Sequence, residues 1–360
     1  MKAIAYSKFK RRLWSELVHH TRHTKLYLYI YRSYWHYLFH QARKDVSHFI
    51  LKNGFHSLFK NDKTKIQHNK LAKILLSVKL YINLLRLKQN DTLFVQTSLM
   101  VLKPILKIKS IKKFKLIYLI HDLFCLRYNS EESIKEHSQE IKRSMSVISQ
   151  CDYVIAHNDI MVQRLRDFGC TSLLIPLEIF DYYCNFPPKR RKLIDGERVK
   201  VTFAGYLGKS HFLKQLDESQ HKYQLIVYGL PEIELKNSIY KGSVDADVLP
   251  NVIEGHFGLI WEGDYDVQEQ DNYTCINNPH KLSMYIVAGL PVIAWEKSAA
   301  GKFIEKNKIG FCIKSLNEID DIIVKVTSND YATMVENCIN LRDKLIAGMF
   351  FKKALEKLQI

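Results

Sequence analysis

A lysine and a serine stand at the start of one helical pattern in the second half of the sequence. Lys281 and Ser283 follow Asn278 and Pro279, and the pattern leads through small residues into an apolar strand that begins at Pro291. The first turn of a helix presents unpaired backbone N–H groups and the positive end of the helix dipole, which together favour a phosphate. Because a lysine there opposes the dipole, the segment predicts a diphosphate beside Lys281. The alternative is an ordinary helix–strand connection with a solvated lysine.

The glycines are unevenly distributed, which limits where a phosphate could bind. Gly54 is the only glycine before Gly169, whereas Gly205 and Gly208 lie in a loop that follows an apolar strand and contains Lys209. Glycine lets the backbone approach an anion closely and adopt positive φ. We therefore expect any nucleotide to bind in the second half, and no glycine-rich phosphate loop in the first.

A histidine and an aspartate directly follow the apolar residues 116–120, namely His121 and Asp122. If those apolar residues form a strand of a parallel sheet, both side chains lie at its carboxyl edge, where such sheets bind ligands. His121 could then hydrogen-bond a substrate, and Asp122 could act as general base on a hydroxyl. Equally, the pair could form a turn that caps the strand, with Asp122 bonded to backbone N–H groups.

Short runs rich in Val, Ile and Leu alternate with helical patterns along the chain. Predicted strands cover residues 3–6, 25–31, 92–97, 116–120, 153–156, 173–176, 199–204, 223–228, 239–241, 258–261, 291–295 and 310–313. Predicted helices include residues 134–148, 159–168, 245–253, 281–287, 300–306 and 347–358. This alternation is typical of α/β folds with parallel, doubly wound sheets.

The alternation breaks around residues 185–192, where two prolines and four basic residues occur together. We interpret this run as an exposed linker between two domains, although such basic runs also serve as nuclear localisation signals. The predicted organisation is one α/β domain over residues 1–185, a second over residues 186–345, and a helix over residues 346–360 that returns to the first. The carboxyl ends of both sheets would then face a common cleft.

Like the glycines, the charged residues are unevenly distributed along the chain. Residues 1–120 contain 25 Lys and Arg against four acidic residues, whereas the rest of the chain contains 29 against 33. A basic face indicates a polyanionic partner, either nucleic acid or an anionic membrane surface; a merely lysine-rich surface is the simpler alternative. Residues 25–40 add aromatic side chains, which suit a membrane interface, a nucleic-acid groove or a buried core.

Composition excludes several classes of protein. Hydrophobic residues make up 47% of the chain and charged residues 25%, so extended disorder is not expected. The seven cysteines form no C-x-x-C pair, which argues against a zinc ribbon or a disulfide scaffold. No run of about 18 apolar residues could span a bilayer, and the charged start does not resemble a signal peptide. We therefore expect a cytoplasmic protein.

The order of these motifs resembles that of GT-B glycosyltransferases, especially a bacterial group of glucosyltransferases and galactofuranosyltransferases. Residues 278–293 resemble their donor-binding element, in which a helix ends in A-G-x-P-V-I. Further similar segments lie at residues 94–97, 120–123, 164–169, 205–210, 240–250 and 255–261. The resemblance covers about residues 90–360. It implies two Rossmann-like domains that face a cleft.

The resemblance also implies roles for individual residues. Lys281 would contact the diphosphate of a UDP-sugar, with Asn278 and Ser283 nearby. The opposite wall of the phosphate pocket would consist of Gly205, Tyr206 and Lys209. No cofactor and no metal ion are expected, because lysine and backbone N–H groups neutralise the leaving diphosphate in such folds.

Two properties of the donor side stay open, namely a possible cation site and the stereochemistry of transfer. The acidic residues within 262–266 are the one candidate cation site, and we interpret this run as a loop over the donor. Many members of the wider fold carry E-x7-E at the donor site, whereas this chain has Asn278, Lys281 and Tyr285 along the helix. That departure leaves retention or inversion of the anomeric configuration open.

The resemblance, taken with the charge distribution, implies a cytoplasmic glycosyltransferase that is peripheral on the inner face of the plasma membrane. Its donor would be a UDP-sugar carrying galactofuranose, galactose or glucose. Its acceptor would be a saccharide or lipid-linked saccharide of a surface polysaccharide such as capsule or O-antigen. We expect anionic lipid rather than nucleic acid as a partner, and the sequence is compatible with a homo-oligomer. The alternatives are a nucleic-acid-binding protein on a two-domain α/β scaffold and a non-catalytic partner subunit.

Overall fold

The computed structural model describes residues 25–28, 40–58, 70–185, 190–263 and 273–358. Its first sheet has six parallel strands in the order β2-β1-β3-β4-β5-β6. These strands are β1 (Lys25–Leu28), β2 (His56–Ser57), β3 (Thr92–Val95), β4 (Lys115–Leu119), β5 (Tyr153–Ala156) and β6 (Leu173–Pro176). The helices between them are α1 (His40–Lys52), α2 (Lys70–Leu85), α3 (Leu99–Lys112), α4 (Glu131–Glu136), α5 (Ser138–Ile148) and α6 (Asp159–Asp167). We call residues 25–185 the first lobe.

The second sheet also has six parallel strands, in the order β12-β11-β10-β7-β8-β9. Its strands are β7 (Lys200–Tyr206), β8 (Gln224–Leu230), β9 (Ile239–Tyr240), β10 (Phe257–Ile260), β11 (Val292–Trp295) and β12 (Gly310–Ile313). The accompanying helices are α7 (Phe212–Glu218), α8 (Leu249–Val252), α9 (His280–Val287), α10 (Ala299–Asn307), α11 (Glu318–Ile323), α12 (Ser328–Ala347) and α13 (Met349–Glu356). We call residues 190–358 the second lobe. The strand order reverses between β7 and β10, and such a switch point opens a crevice at the carboxyl ends of the strands.

The predicted α/β class with two doubly wound parallel sheets is confirmed. Each predicted strand from residue 92 onward is present within one or two residues of its predicted limits. The predicted strand at residues 3–6 lies outside the described residues, as do residues 29–31 of the strand predicted at 25–31. In the described ranges, no helix is long and apolar enough to cross a membrane.

Two predicted helices are wrong in extent. Residues 134–148 form the end of α4 and all of α5, which meet at His137; the imidazole of His137 stacks on Tyr128 at 3.9 Å between ring centroids. In the predicted helix at residues 245–253, only Leu249–Val252 is helical. The carboxylate of Asp247 instead accepts a hydrogen bond of 2.8 Å from the Gln41 side chain of α1, so this segment contacts the first lobe.

The final helix begins later than predicted because Gly348 ends α12. Gly348 has φ of 76°, a left-handed conformation that favours glycine. A Cβ atom at this position would also lie 2.4 Å from the Phe49 ring of α1, so the joint needs glycine for two reasons. After the joint, the Phe351 ring of α13 packs against Phe94 of β3 at 5.6 Å between centroids. The last helix of the second lobe, α13, thus packs against the first lobe.

One part of the predicted linker is not an exposed chain. Residues 186–189 lie outside the described residues, and Arg190 is exposed. The Arg191 guanidinium, however, donates to the backbone oxygens of Ile253, Gly255 and Ala288 at 2.7–3.0 Å. Arg191 therefore fastens the start of the second lobe to its own sheet, a function that the basic run alone does not indicate.

Candidate active site

The loops at the carboxyl ends of the two sheets meet in the middle of the molecule. The Asn158 side chain, which follows β5, donates to the backbone oxygen of Ile276 at 3.1 Å. The imidazole of His280, at the start of α9, lies 6.2 Å from the Phe180 ring, which follows β6. These contacts join the connection before α9 to the carboxyl end of the first sheet, so residues from both lobes line one cleft.

Lys281 lies at the switch point of the second sheet. Its ammonium nitrogen is 4.5 Å from the centroid of the Phe203 ring, and a Cβ atom on Gly205 would lie 3.2 Å from it. Burial lowers the pKa of Lys281, while the nearby Glu262 carboxylate acts in the opposite direction. Within the described residues, Lys281 has no hydrogen bond and no ion pair. A desolvated ammonium next to an aromatic face and backbone is well suited to bind an anion.

The glycine loop after β7 forms the adjacent wall. The chain makes a short turn at Leu207–Lys209, where the Ser210 hydroxyl donates to the Tyr206 oxygen at 3.1 Å. Tyr206 is 48% exposed and Lys209 is exposed. The structure therefore brings Gly205 to Lys281 as the resemblance implies. It places Tyr206 and Lys209 on the outer part of the loop.

Asn278 and Ser283 join the two lobes. The Ser283 hydroxyl is fully buried and donates to the Phe180 oxygen at 2.6 Å, which leaves it no donor for a phosphate. The Asn278 side-chain nitrogen donates to the Glu178 oxygen, and its side-chain oxygen is buried without a hydrogen-bond partner among the described atoms. Both contacts fix the segment after β6 against α9. The resemblance implied a place near the diphosphate for these residues and did not indicate this structural role.

His121 is held by a chain of hydrogen bonds that determines its tautomer. The side-chain nitrogen of Gln96 donates to the Arg43 oxygen at 3.1 Å and to the Ser47 hydroxyl at 2.9 Å. The Gln96 oxygen therefore faces Nε2 of His121, 2.7 Å away, and must accept a proton from it. Nδ1 of His121 is left as a hydrogen-bond acceptor. Burial, with a further contribution from Arg43, lowers the pKa of His121 well below its ordinary value, so the ring is neutral.

Asp122 is an exposed carboxylate with one cationic partner. The Arg127 guanidinium donates to both of its oxygens, at 3.2 and 3.3 Å. Arg127 in turn lies over the Tyr273 ring, 4.6 Å from its centroid. The turn places Asp122 next to His121 at the edge of β4, as predicted. It also adds Arg127, which the sequence analysis did not single out.

The analysis also missed a cross-lobe pair of titratable residues. Nε2 of His280 lies 3.3 Å from Oδ2 of Asp45, a buried carboxylate on α1. Burial is the main reason that the pKa of Asp45 is raised, although His280 opposes the shift. The His280 ring stacks on Tyr182 with a centroid distance of 4.9 Å. His280 directly precedes Lys281, so its place in the helix start was a usable signal; nothing in the sequence indicated Asp45.

No group of three or more His, Cys, Asp or Glu side chains that could hold a metal ion occurs in the part of the chain that the structure describes. Of the acidic run, Glu262 is described and exposed, whereas Asp264 and Asp266 lie outside the described residues. All seven cysteines are free, in agreement with the absence of a disulfide scaffold.

Comparisons with known proteins cover both lobes. The model of the Glucosyltransferase 3-like N-terminal domain matches residues 27–179, and that of the C-terminal domain matches residues 201–358. Beta-1,6-galactofuranosyltransferase WbbI of Escherichia coli (strain K12) is 30% identical over 309 residues, which cover 80% of this chain and 84% of that protein. Glucosyltransferase 3 of Streptococcus parasanguinis is 26% identical, covering 67% of this chain and 69% of that protein.

Solved structures show the same fold at lower identity. HepE of Anabaena, solved in complex with UDP and glucose, has a TM-score of 0.60 at 12% identity, covering 94% of this chain and all of that one. The lipopolysaccharide outer core galactosyltransferase WaaB has a TM-score of 0.53 at 13% identity, with 94% of this chain and 100% of that one covered. These matches confirm the GT-B arrangement of the two lobes. The chain belongs to the Glucosyltransferase 3-like family and is a GT-B glycosyltransferase.

Proposed function

We propose that the enzyme transfers a hexose from a UDP-sugar whose diphosphate binds between Lys281 and the loop that begins at Gly205. The observation that carries this proposal is the half-buried Lys281, whose ammonium lies against the Phe203 ring and Gly205 with the Glu262 carboxylate nearby, and makes no hydrogen bond or ion pair among the described residues. Burial of an ammonium without a bonded anion is unfavourable. A diphosphate at the switch point would replace the interactions with water that the ammonium loses on burial.

The names of similar proteins support the choice of donor. WbbI is a galactofuranosyltransferase, the streptococcal relatives are glucosyltransferases, and HepE was solved with UDP and glucose. We therefore propose galactofuranose, galactose or glucose as the sugar. The acceptor is a saccharide or lipid-linked saccharide of a surface glycan such as capsule or O-antigen, reached from the cytoplasmic face of the membrane.

The first lobe supplies the acceptor side of the reaction in this proposal. Nδ1 of His121 accepts a hydrogen bond from a sugar hydroxyl, because Gln96 fixes the proton on Nε2. Asp122 takes the proton of the attacking acceptor hydroxyl while the bond between the anomeric carbon and UDP breaks. Arg127 orients the Asp122 carboxylate from one side. Lys281 stabilises the charge on the departing diphosphate, and no metal ion is required.

Calorimetric titration with UDP tests the donor site. Lys281→Met keeps an apolar chain of similar length and removes the charge, so UDP affinity should fall about 10- to 150-fold, equivalent to about 1.5–3 kcal/mol. Gly205→Ala should also weaken binding, because its methyl group displaces the ammonium of Lys281. Lys214→Met, at an exposed position of α7, is the matched control and should bind UDP normally.

Two results would contradict the donor assignment. Unchanged UDP affinity in Lys281→Met would remove this lysine from the site. Affinity of the wild-type enzyme for another nucleoside diphosphate in preference to UDP would replace UDP as the donor carrier. Repeating the titration with a chelator tests metal independence, since loss of binding would show that a divalent cation bridges the phosphates.

A further inference from the structure

The outer side of α2 carries large apolar side chains that the fold leaves exposed. Val78 is 50% exposed, Tyr81 44%, Ile82 46% and Leu85 52%. Their spacing along the sequence places them on adjacent positions of about two helical turns. The inner side of the same helix is also apolar, since Leu80 and Leu84 are buried. A helix with apolar residues on both sides usually has a partner on each.

The neighbouring helix α3 extends this surface. Helices α2 and α3 contact each other, and both bury their inner sides in the core cluster that contains Leu93 and Leu116 of the sheet. On the outer side of α3, Met100 is 72% exposed and Ile111 is 75% exposed. We call the exposed apolar residues of both helices the α2–α3 face. It comprises Val78, Tyr81, Ile82, Leu85, Met100 and Ile111.

The surroundings of this face are strongly basic. Residues 63–121 contain 13 Lys and Arg and a single acidic residue, Asp91, which is only 2% exposed. Lys103 and Lys107 are exposed on α3, and Arg86 is exposed directly after the end of α2. No exposed carboxylate interrupts the positive charge in the described part of this range. The face therefore combines aliphatic side chains with cations at its margins.

We infer that the α2–α3 face docks on a bilayer that contains anionic lipid. Aliphatic side chains insert at the boundary between headgroups and acyl chains, tyrosine prefers that boundary, and lysine and arginine bind anionic headgroups. A nucleic acid would use the charges but would leave Val78, Ile82 and Leu85 in contact with water. The inference rests on the proposed function, because a lipid-linked acceptor lies in the same bilayer.

One end of the face lies near the acceptor-side residues. Met100 is in the first turn of α3, which follows β3 directly. Gln96 follows the same strand and binds His121 at the carboxyl edge of the sheet. The docking surface thus runs from the amino edge of the sheet, near Leu85 and Ile111, to the carboxyl edge, where Met100 lies on the same side as the acceptor-side residues.

Flotation of the full-length protein with vesicles tests the inference. The wild-type protein should float with phosphatidylcholine vesicles that contain phosphatidylglycerol and should not float with phosphatidylcholine alone. Ile82→Ser combined with Leu85→Ser should reduce the partition coefficient about tenfold, a change of about 1.4 kcal/mol. Lys103→Glu combined with Lys107→Glu should reduce it similarly at low salt. Ile194→Ser with Val324→Ser, at comparably exposed aliphatic positions of the second lobe, is the matched control and should float normally.

Three results would overturn the docking assignment. One is normal flotation of the Ile82→Ser and Leu85→Ser variant, which would show that charge alone holds the protein. The second is equal binding to neutral and anionic vesicles, and the third is displacement from anionic vesicles by duplex DNA at physiological salt. UDP titration of the same variants separates this inference from the proposed function, because none of these positions touches Lys281. A wild-type protein that floats without binding UDP would refute the donor site and leave the docking face standing.

Discussion

The two lobes have sites of different construction, although each has a six-stranded parallel sheet. In the second lobe, backbone proximity shapes the site: a Cβ atom on Gly229 of β8 would lie 1.9 Å from the Gly205 oxygen of β7. In the first lobe, side chains that follow two neighbouring strands form the site, namely Gln96, His121 and Asp122. A backbone that must approach a phosphate requires glycine, which is visible in a sequence. A surface built from side chains has no such requirement.

The largest expected effect separates chemistry on the first lobe from donor binding on the second. Asp122→Asn removes the proposed general base, so we expect turnover to fall about 100-fold. UDP affinity should not change, because Asp122 lies on the other lobe. Steady-state sugar transfer and calorimetry measure the two quantities. Asp167→Asn, an exposed aspartate of the same lobe, is the control; normal turnover in Asp122→Asn would assign the proton transfer to another group.

A smaller effect is expected from the residue that fixes the tautomer of His121. In Gln96→Glu, a carboxylate faces Nε2 and favours the imidazolium, so the pKa of His121 should rise. Protonated His121 donates from Nδ1 rather than accepting, and kcat/KM should drop about tenfold as pH falls below the new pKa. Imidazole 15N shifts report the protonation state directly. Wild-type shifts and an unaltered pH profile in the variant would show that Gln96 has no such control.

The last predicted effect is on stability and concerns the junction of the lobes. The Asp181 carboxylate accepts from the backbone N–H groups of Phe350 and Phe351 at the start of α13. Burial raises the pKa of Asp181 to about 7. Because the folded state then binds this proton more tightly than the unfolded state, stability should decrease as pH rises from about 4 to about 7.

Asp181→Asn tests this linkage. The variant should lose about 3 kcal/mol of the pH-dependent change in the free energy of unfolding over that range. Urea unfolding at several pH values measures it. The comparison is between the slopes of the two proteins, so a general loss of stability in the variant does not obscure the result. Parallel pH profiles would mean that Asp181 stays ionised in the folded protein.

Sequence patterns predicted the strands that are buried on both faces of the sheet. The strands at residues 153–156 and 173–176 match their predicted limits, because an apolar run covered on both faces has an unambiguous pattern. Lys281 and Gly205 were predicted together and lie together. The juxtaposition follows from the switch point, which parallel topology fixes once the strand order is known.

Contacts between residues far apart in sequence were not predictable in the same way. The partner of Ser283 is the Phe180 oxygen, 103 positions earlier, and the partner of Arg191 includes the Ala288 oxygen, 97 positions later. Local periodicity contains no information about such partners. Ser283, a polar residue at a helix start, was therefore interpreted as a ligand contact. In the structure its hydroxyl instead donates to a backbone oxygen of the other lobe.

The glycine joint at residue 348 has a consequence for the order of synthesis. The Phe94 ring of the first sheet and the Phe49 ring of α1 are covered by residues that follow Gly348, including Phe351. A ribosome makes these residues only after all strands of the second sheet have been synthesised. The lobe that is translated first therefore cannot complete its own core, and its nascent form must keep aromatic surface uncovered until α13 arrives. The core of the first lobe is therefore complete only when synthesis of the second lobe is complete.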